Sequence, residues 1–309
     1  MRVNRAGFVK NCWRKSIVQS PILRQSEAFD VRPIGAAYAA EIAGLNLANP
    51  LGDDVFRALY QLFLQHKILV FRDQNFDDDA HSQFARRWGK LQVHVLNQYH
   101  KATNPEIIYL SNLDREGKPK GEHPDPGAAI WHTDGSWARE RALATMLYGM
   151  VLPKSGGDTL FADMVAAYDA LSASMQQKLE SLVAVHSLDY SRSQTGAKQQ
   201  MTEAQKRAAP PVEHAVIRVH PDTERKAIYL GQHASHIVGM AVDAGRALIR
   251  EINEHATQPQ FIYVHRWQPR DFVMWDNRQV MHKATDFDWI NDVRTMRRTT
   301  TVGEKIQEA

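Results

Sequence analysis

The sequence predicts an α+β fold with a mainly β core, on three observations. Short runs rich in Val, Ile, Phe and Tyr recur between turn-forming residues, a few longer stretches carry apolar side chains at helical spacing, and 43% apolar content supports a sizeable core. The residues that look chemical are spread over most of the 309 positions, so one elaborated domain fits better than two.

In chain order, residues 53–65 place Val55, Phe56, Leu59, Tyr60 and Phe63 on one helical face, and 68–71 (Ile-Leu-Val-Phe) reads as a buried strand. Residues 77–88 predict a second helix with Phe84 and Trp88 inward. Residues 91–126 set a strand at 107–110 among polar, Gly- and Pro-rich stretches, as a loop around a site would. Strands follow at 145–150 and 159–162. A helix is predicted over 168–185, with Leu171, Met175, Leu179 and Leu182 near one face. The polar stretch 191–211 has no strand signal and is the candidate lid. Strands return at 216–219 and 228–230, a helix at 243–257 carries Leu248, Ile249 and Ile252 inward, and strands at 261–264, 272–275 and 299–302 complete the set.

Composition excludes several classes. Net charge is +3 with 24% charged residues, and no long basic block lies outside the N-terminus, so nucleic acid is not implied. No run of about 18 apolar residues predicts a membrane span. A single cysteine, Cys12, rules out an internal disulfide and a Cys-based zinc site and fits a reducing, cytoplasmic setting. Residues 1–27 form a basic extension with Arg2, Arg5, Lys10, Arg14, Lys15 and Arg24 and no acid before Glu27. Its composition suits a disordered tail, with an organelle-import segment as the alternative. The domain is expected over 28–309.

The chemistry centres on Trp131-His132-Thr133-Asp134. Residues i and i+2 of an extended segment face the same way, so the His132 imidazole and the Asp134 carboxylate can converge on one metal ion. Among 14 histidines such a pair is cheap, and alone it reads better as a capped turn. A third ligand is available in His282, which follows the apolar run 272–275. Two His and one carboxylate with open positions is the facial arrangement of non-heme Fe(II) oxygenases. Thr159 follows Gly156-Gly157-Asp158, and Arg294 and Arg298 follow His282 by 12 and 16 residues. Arginines paired with hydroxyls grip carboxylates by charge-assisted hydrogen bonds.

These residues resemble the taurine dioxygenase (TauD/TfdA) family of Fe(II)/2-oxoglutarate dioxygenases, in particular its branch acting on aryloxyalkanoates such as 2,4-dichlorophenoxyacetate. Trp131 to Asp134, Ser155 to Thr159, Ala166 to Leu171, Gly231 to His236, His255 to Thr257, His265-Arg266-Trp267 and Met274 to His282 carry the resemblance in the family's order. It implies a double-stranded β-helix, or jelly roll, with flanking helices. It implies that His132, Asp134 and His282 bind iron, that Thr159 and Arg294 hold the distal carboxylate of 2-oxoglutarate, and that Arg298 meets the acid of the prime substrate. Dioxygen would be the second cosubstrate and ascorbate a stimulant. His94 and Asn112, from the 91–126 loop, are candidate substrate contacts, as are His220 and His233, with His236 beside the entrance. His214, His255 and His265 read as structural.

The function implied is hydroxylation of a small acid, with etherolytic cleavage of an aryloxyalkanoate to a phenol and glyoxylate, succinate and carbon dioxide. A sulfonate or alkyl sulfate is the alternative substrate, and a non-catalytic cupin-like binding protein or a zinc hydrolase the alternative class. The expected partner is a small carboxylic acid, and the protein is expected to form a homo-oligomer.

Overall fold

Phe272-Val273-Met274-Trp275 is apolar at every position because the strand Phe272–Asp276 is covered on both faces. Phe272 and Met274 join Phe71, Phe84, Trp88 and Met146 on one side, while Val273 and Trp275 join Val70, Leu147, Phe161, Val280 and Met296 on the other. That split is the period-two geometry of a strand.

The computed structural model describes residues 28–35, 38–97, 100–101, 103–195 and 200–303. The basic extension 1–27 lies outside them. Around Phe272–Asp276 a large sheet runs, in spatial order, Asp30–Pro33, Ala39–Ala43, Ile68–Phe71, Phe272–Asp276, Ala142–Val151, Thr295–Val302, Asn104–Ser111 and His100–Lys101. Helices Asp53–His66 and Asp78–Arg86 cover its outer face, burying Leu59, Leu62, Phe63 and Phe84. Its inner face packs on a second layer made of Ile262–His265, Thr159–Asp163 and Val280–Ala284. A further sheet of Val212–Ala215, Val183–His186 and Ala234–Ile237 lies under helix Val242–Ala256, which buries Leu248, Ile249 and Ile252. Two facing β layers with helices outside form the jelly roll.

Three readings change. The helix predicted over 168–185 divides into Met164–Asp169, Ala173–Glu180 and strand Val183–His186. Ser172 is extended (φ −61, ψ 151) and caps the second helix by accepting from the Met175 N–H. Val183-Ala-Val-His then pairs on both edges, which outweighs the helical spacing of Leu179 and Leu182. In the polar stretch 191–211 the structure places the end of helix Leu188–Gln194 and helix Glu203–Ala208; residues 196–199 lie outside the described set. The last strand begins at Thr295 rather than 299, so Arg298 sits inside a ladder.

One buried ion pair ties the layers together. Lys67 ends helix Asp53–His66 in the left-handed conformation, and its ammonium lies 2.6 and 2.5 Å from the two oxygens of Asp163. Asp163 also caps helix Met164–Asp169 through the Val165 and Ala166 N–H groups.

Candidate active site

His132 is not part of a long strand. A single backbone pair holds it against His282, with His132 N–H donating to the His282 carbonyl at 3.0 Å and the reverse bond at 2.8 Å. This pairing brings the two rings together, tilted at 47° with centroids 4.2 Å apart. Asp134 completes the group: its Oδ1 is 3.7 Å from His132 Nε2 and its Oδ2 is 3.6 Å from His282 Nε2. The three potential ligand atoms lie within 4.8 Å of one another, and all three residues are buried. After Asp134 the chain turns through Gly135 at φ +63, where a Cβ would sit 2.9 Å from the Ala142 backbone nitrogen.

Hydrogen bonds fix the donors. His132 Nδ1 lies 2.7 Å from the Ile130 carbonyl, so Nδ1 carries a ring proton and Nε2 is the nitrogen turned toward Asp134. Burial, then the neighbouring His132, holds His282 well below its ordinary pKa, which favours the neutral ring as a donor. For Asp134, burial acts to raise the pKa, but Arg298, His282, His132 and the Thr145 hydroxyl together hold it well below the usual carboxylate range. The Thr145 hydroxyl donates to Asp134 Oδ2 at 2.7 Å. Asn277 braces both: its amide donates to Thr145 at 2.9 Å, and its oxygen accepts from the Asp134 N–H at 3.3 Å and the Trp275 indole at 3.1 Å. Two imidazoles and an ionised carboxylate match the donor set that Fe(II) takes in oxygenases.

A buried cation stands nearby. Arg294 is 4% exposed, and its Nε donates to the Gly157 carbonyl at 3.2 Å. Burial lowers its pKa to about 10, opposed only by Asp158, and it forms no ion pair among the described residues. A buried guanidinium without an acid is a site waiting for an anion. Gly157 is needed beside it, since a Cβ there would come 3.2 Å from the arginine's Cδ and Nε at φ +70. Thr159, buried, accepts from the Trp267 indole at 3.0 Å.

A cavity opens over His132 and Asp134, with Leu96, Ile108, Leu110, Trp137 and Leu188 as its apolar wall and Arg298, His94 and His233 among its polar groups. Arg298 Nη1 donates to Asp134 Oδ1 at 3.3 Å, and its buried Nε has no partner among the described residues. His233 Nδ1 lies 2.8 Å from Ser191 Oγ, which links the cavity floor to helix Leu188–Gln194. Ser191, Arg192 and Thr195, from the stretch read as a lid, line the cavity.

Two expected substrate contacts lie elsewhere. Asn112 is fully buried, its amide donating to the carbonyls of Trp289 (3.1 Å) and Asp292 (2.8 Å) while its oxygen accepts from the Arg294 N–H. Both its amide hydrogens and its oxygen go to bracing the approach to Arg294. His220 is buried against Asp276 (3.0 Å), and its Nδ1 accepts from the Asp222 and Thr223 N–H groups. It caps a turn rather than lining the cavity. Of the histidines read as structural, His265 lies 3.1 Å from Asp271, His255 contacts the Ala167 carbonyl and His214 the Ser136 carbonyl. Sequence reasoning missed Thr145, Asn277 and Trp137. Thr145, a hydroxyl in the apolar run Ala142-Leu-Ala-Thr-Met-Leu, was the only one with a visible signal.

Jelly roll, facial triad and a buried arginine with no ion pair among the described residues define a non-heme iron, 2-oxoacid-dependent oxygenase. The family model described as "Taurine catabolism dioxygenase TauD, TfdA family" matches residues 30–300. The chain is 37% identical over 282 residues to the alpha-ketoglutarate-dependent 2,4-dichlorophenoxyacetate dioxygenase of Cupriavidus pinatubonensis, covering 89% of this chain and 98% of that protein. It is 32% identical to the (S)-phenoxypropionate/alpha-ketoglutarate-dioxygenase of Sphingobium herbicidovorans, over 92% of this chain and 98% of that one. The crystal structure of AAD-2 in complex with Mn(II) and N-oxalylglycine superposes with a TM-score of 0.80 at 36% identity, covering 91% of this chain and 99% of that one. The chain belongs to the TauD/TfdA family. It is a 2-oxoglutarate-dependent dioxygenase whose cofactor is Fe(II) and whose cosubstrates are 2-oxoglutarate and dioxygen, acting on a small molecule. Among the described residues no helix is long and apolar enough to cross a membrane.

Proposed function

We propose that this dioxygenase cleaves aryloxyalkanoic acids, with 2,4-dichlorophenoxyacetate as the type substrate. The observation that carries the reading is the cavity, which joins an apolar wall of ring size to a guanidinium beside the triad. A phenyl ring would bury against Trp137, Ile108, Leu110 and Leu188, and its carboxylate would meet Arg298. Taurine has no ring and would leave that wall uncovered. Both relatives quoted above act, by name, on phenoxy acids.

In this reading the bound iron, with 2-oxoglutarate and dioxygen, supplies the oxidation that turns a substrate C–H into C–OH as 2-oxoglutarate leaves as succinate and carbon dioxide. The protein holds the groups. Thr159 and Arg294 take the distal carboxylate of 2-oxoglutarate, Arg298 the acid of the prime substrate, and the apolar wall excludes water and sets the carbon beside the ether oxygen near the centre. Hydroxylation at that carbon gives a hemiacetal, which separates into a phenol and an oxoacid, glyoxylate from an oxyacetate. His94 and His233 border the same space as substrate contacts. The lone Cys12 supports a reducing, cytoplasmic setting, and the resemblance to the family supports a homo-oligomer.

Arg294→Ala is expected to raise the 2-oxoglutarate requirement roughly tenfold to a hundredfold, the cost of a charge-assisted contact, with little change in KM for the prime substrate. An unchanged requirement removes Arg294 from the cosubstrate site. Arg298→Ala is expected to lose stimulation by phenoxyacetate while slow, unstimulated 2-oxoglutarate turnover and Mn(II) affinity persist. Retained stimulation would place the substrate acid elsewhere.

A further inference from the structure

His265-Arg266-Trp267 stands out in the sequence, and its tryptophan is held on two sides. Trp267 packs over Gly149, where a Cβ would lie 3.3 Å from the indole Cε3, and meets the edge of the His265 ring at 4.7 Å. His265 is itself held by Asp271, whose Oδ2 also accepts from the Gln268 N–H at 2.8 Å and pairs with Arg72. The indole is therefore fixed from both sides, and its N–H reaches one acceptor, Thr159 Oγ1 at 3.0 Å.

An indole nitrogen only donates, whereas a threonine hydroxyl has one hydrogen and two lone pairs. In this bond the Thr159 oxygen must accept, so its own hydrogen is turned away from Trp267. Among the described residues no acceptor takes that hydrogen. Thr159 begins the strand Thr159–Asp163 two residues after Gly157, whose carbonyl holds Arg294. We propose that Trp267 is a positioning residue for the cosubstrate: by occupying one of the two Thr159 lone pairs it orients the hydroxyl hydrogen away from the indole, as a donor to the distal carboxylate of 2-oxoglutarate. It is thereby a determinant of the preference for 2-oxo dicarboxylic over 2-oxo monocarboxylic acids. The inference rests on Thr159 and Arg294 being the carboxylate clamp.

The test is calorimetric titration of the Mn(II)-loaded protein with 2-oxoglutarate and, as the acid lacking a distal carboxylate, 2-oxobutyrate. Trp267→Phe keeps a ring in place and removes the N–H. It is expected to weaken 2-oxoglutarate about fivefold to tenfold, the scale of one oriented hydrogen bond, and to leave 2-oxobutyrate, kcat at saturation and KM for the prime substrate unchanged. Thr159→Val should weaken 2-oxoglutarate at least as much, and the double variant no further, because both changes remove the same bond. Wild-type 2-oxoglutarate affinity in Trp267→Phe, equal weakening of both acids, or additive losses in the double variant would overturn the proposal. Unchanged affinity in Thr159→Val would instead bring down the clamp itself. A loss in Thr159→Val alone leaves the clamp standing and refutes only the role of Trp267.

Discussion

Asp134→Ala is expected to abolish turnover and metal binding while the protein still unfolds in one cooperative transition. Asp134 is the group around which both histidines, Arg298 and Thr145 are arranged, and the one negative charge of the three-ligand set. Without it two imidazoles and a guanidinium face one another, with no negative charge left to hold a divalent cation. Loss of a residue behind a ligand costs roughly 10- to 100-fold in metal affinity or activity, and loss of the carboxylate ligand exceeds that. The core is built from the strands on both sides of Phe272–Asp276 and not from this group, so the fold persists. Mn(II) stabilises the wild-type protein by mass action, by roughly 2.7 kcal/mol at a hundredfold excess over Kd, and should leave the melting of Asp134→Ala unmoved. Turnover or a metal-dependent shift surviving in the variant would take Asp134 out of the ligand set.

The largest stability effect is expected at Asp163, outside the catalytic group. Removing one partner of a buried ion pair costs roughly 3–5 kcal/mol because the other charge is left without compensation. Lys67 is in that position: burial drives its pKa down and Asp163 is the main force against it. Asp163→Ala also strips the cap from helix Met164–Asp169. The same strand pairs with Val280–Ala284, which carries His282, so the loss reaches the metal centre. Chemical denaturation should show Asp163→Ala lower by about that amount, and Lys67→Met combined with Asp163→Asn should recover much of it by removing both charges and keeping a cap. A loss near 1 kcal/mol, the scale of a cap alone, would mean the pair is solvated.

Much of the framework could be read in the residues. The run 272–275 showed as a buried strand because both its faces are covered, and helix 53–65 showed because its outer face is not. Where local pattern and long-range pairing disagreed, pairing won: Val183–His186 has two strand neighbours that helical spacing cannot reveal. The ligand residues stood out by type and order, but their convergence comes from one backbone pair between His132 and His282, which no local signal encodes. Asn112 and His220 were placed at the substrate because residue type does not tell whether a polar side chain is already satisfied, and both are. The aromatic residue at the cavity is Trp137, which no spacing in the sequence marks. A strand sends neighbouring side chains to opposite faces, so Arg297, next to Arg298, bonds Asp78 on the outer side.

The most direct measurement is succinate and phenol formation by the Fe(II)-loaded protein with 2-oxoglutarate and oxygen, across aryloxyacetates, 2-aryloxypropionates, taurine and alkyl sulfates. An aryloxyalkanoate dioxygenase forms phenol and succinate in equal amounts and responds to the phenoxy acids well above taurine or the sulfates. Preferential response to a sulfonate or sulfate ester, or succinate formed without phenol on every phenoxy acid, would contradict the account.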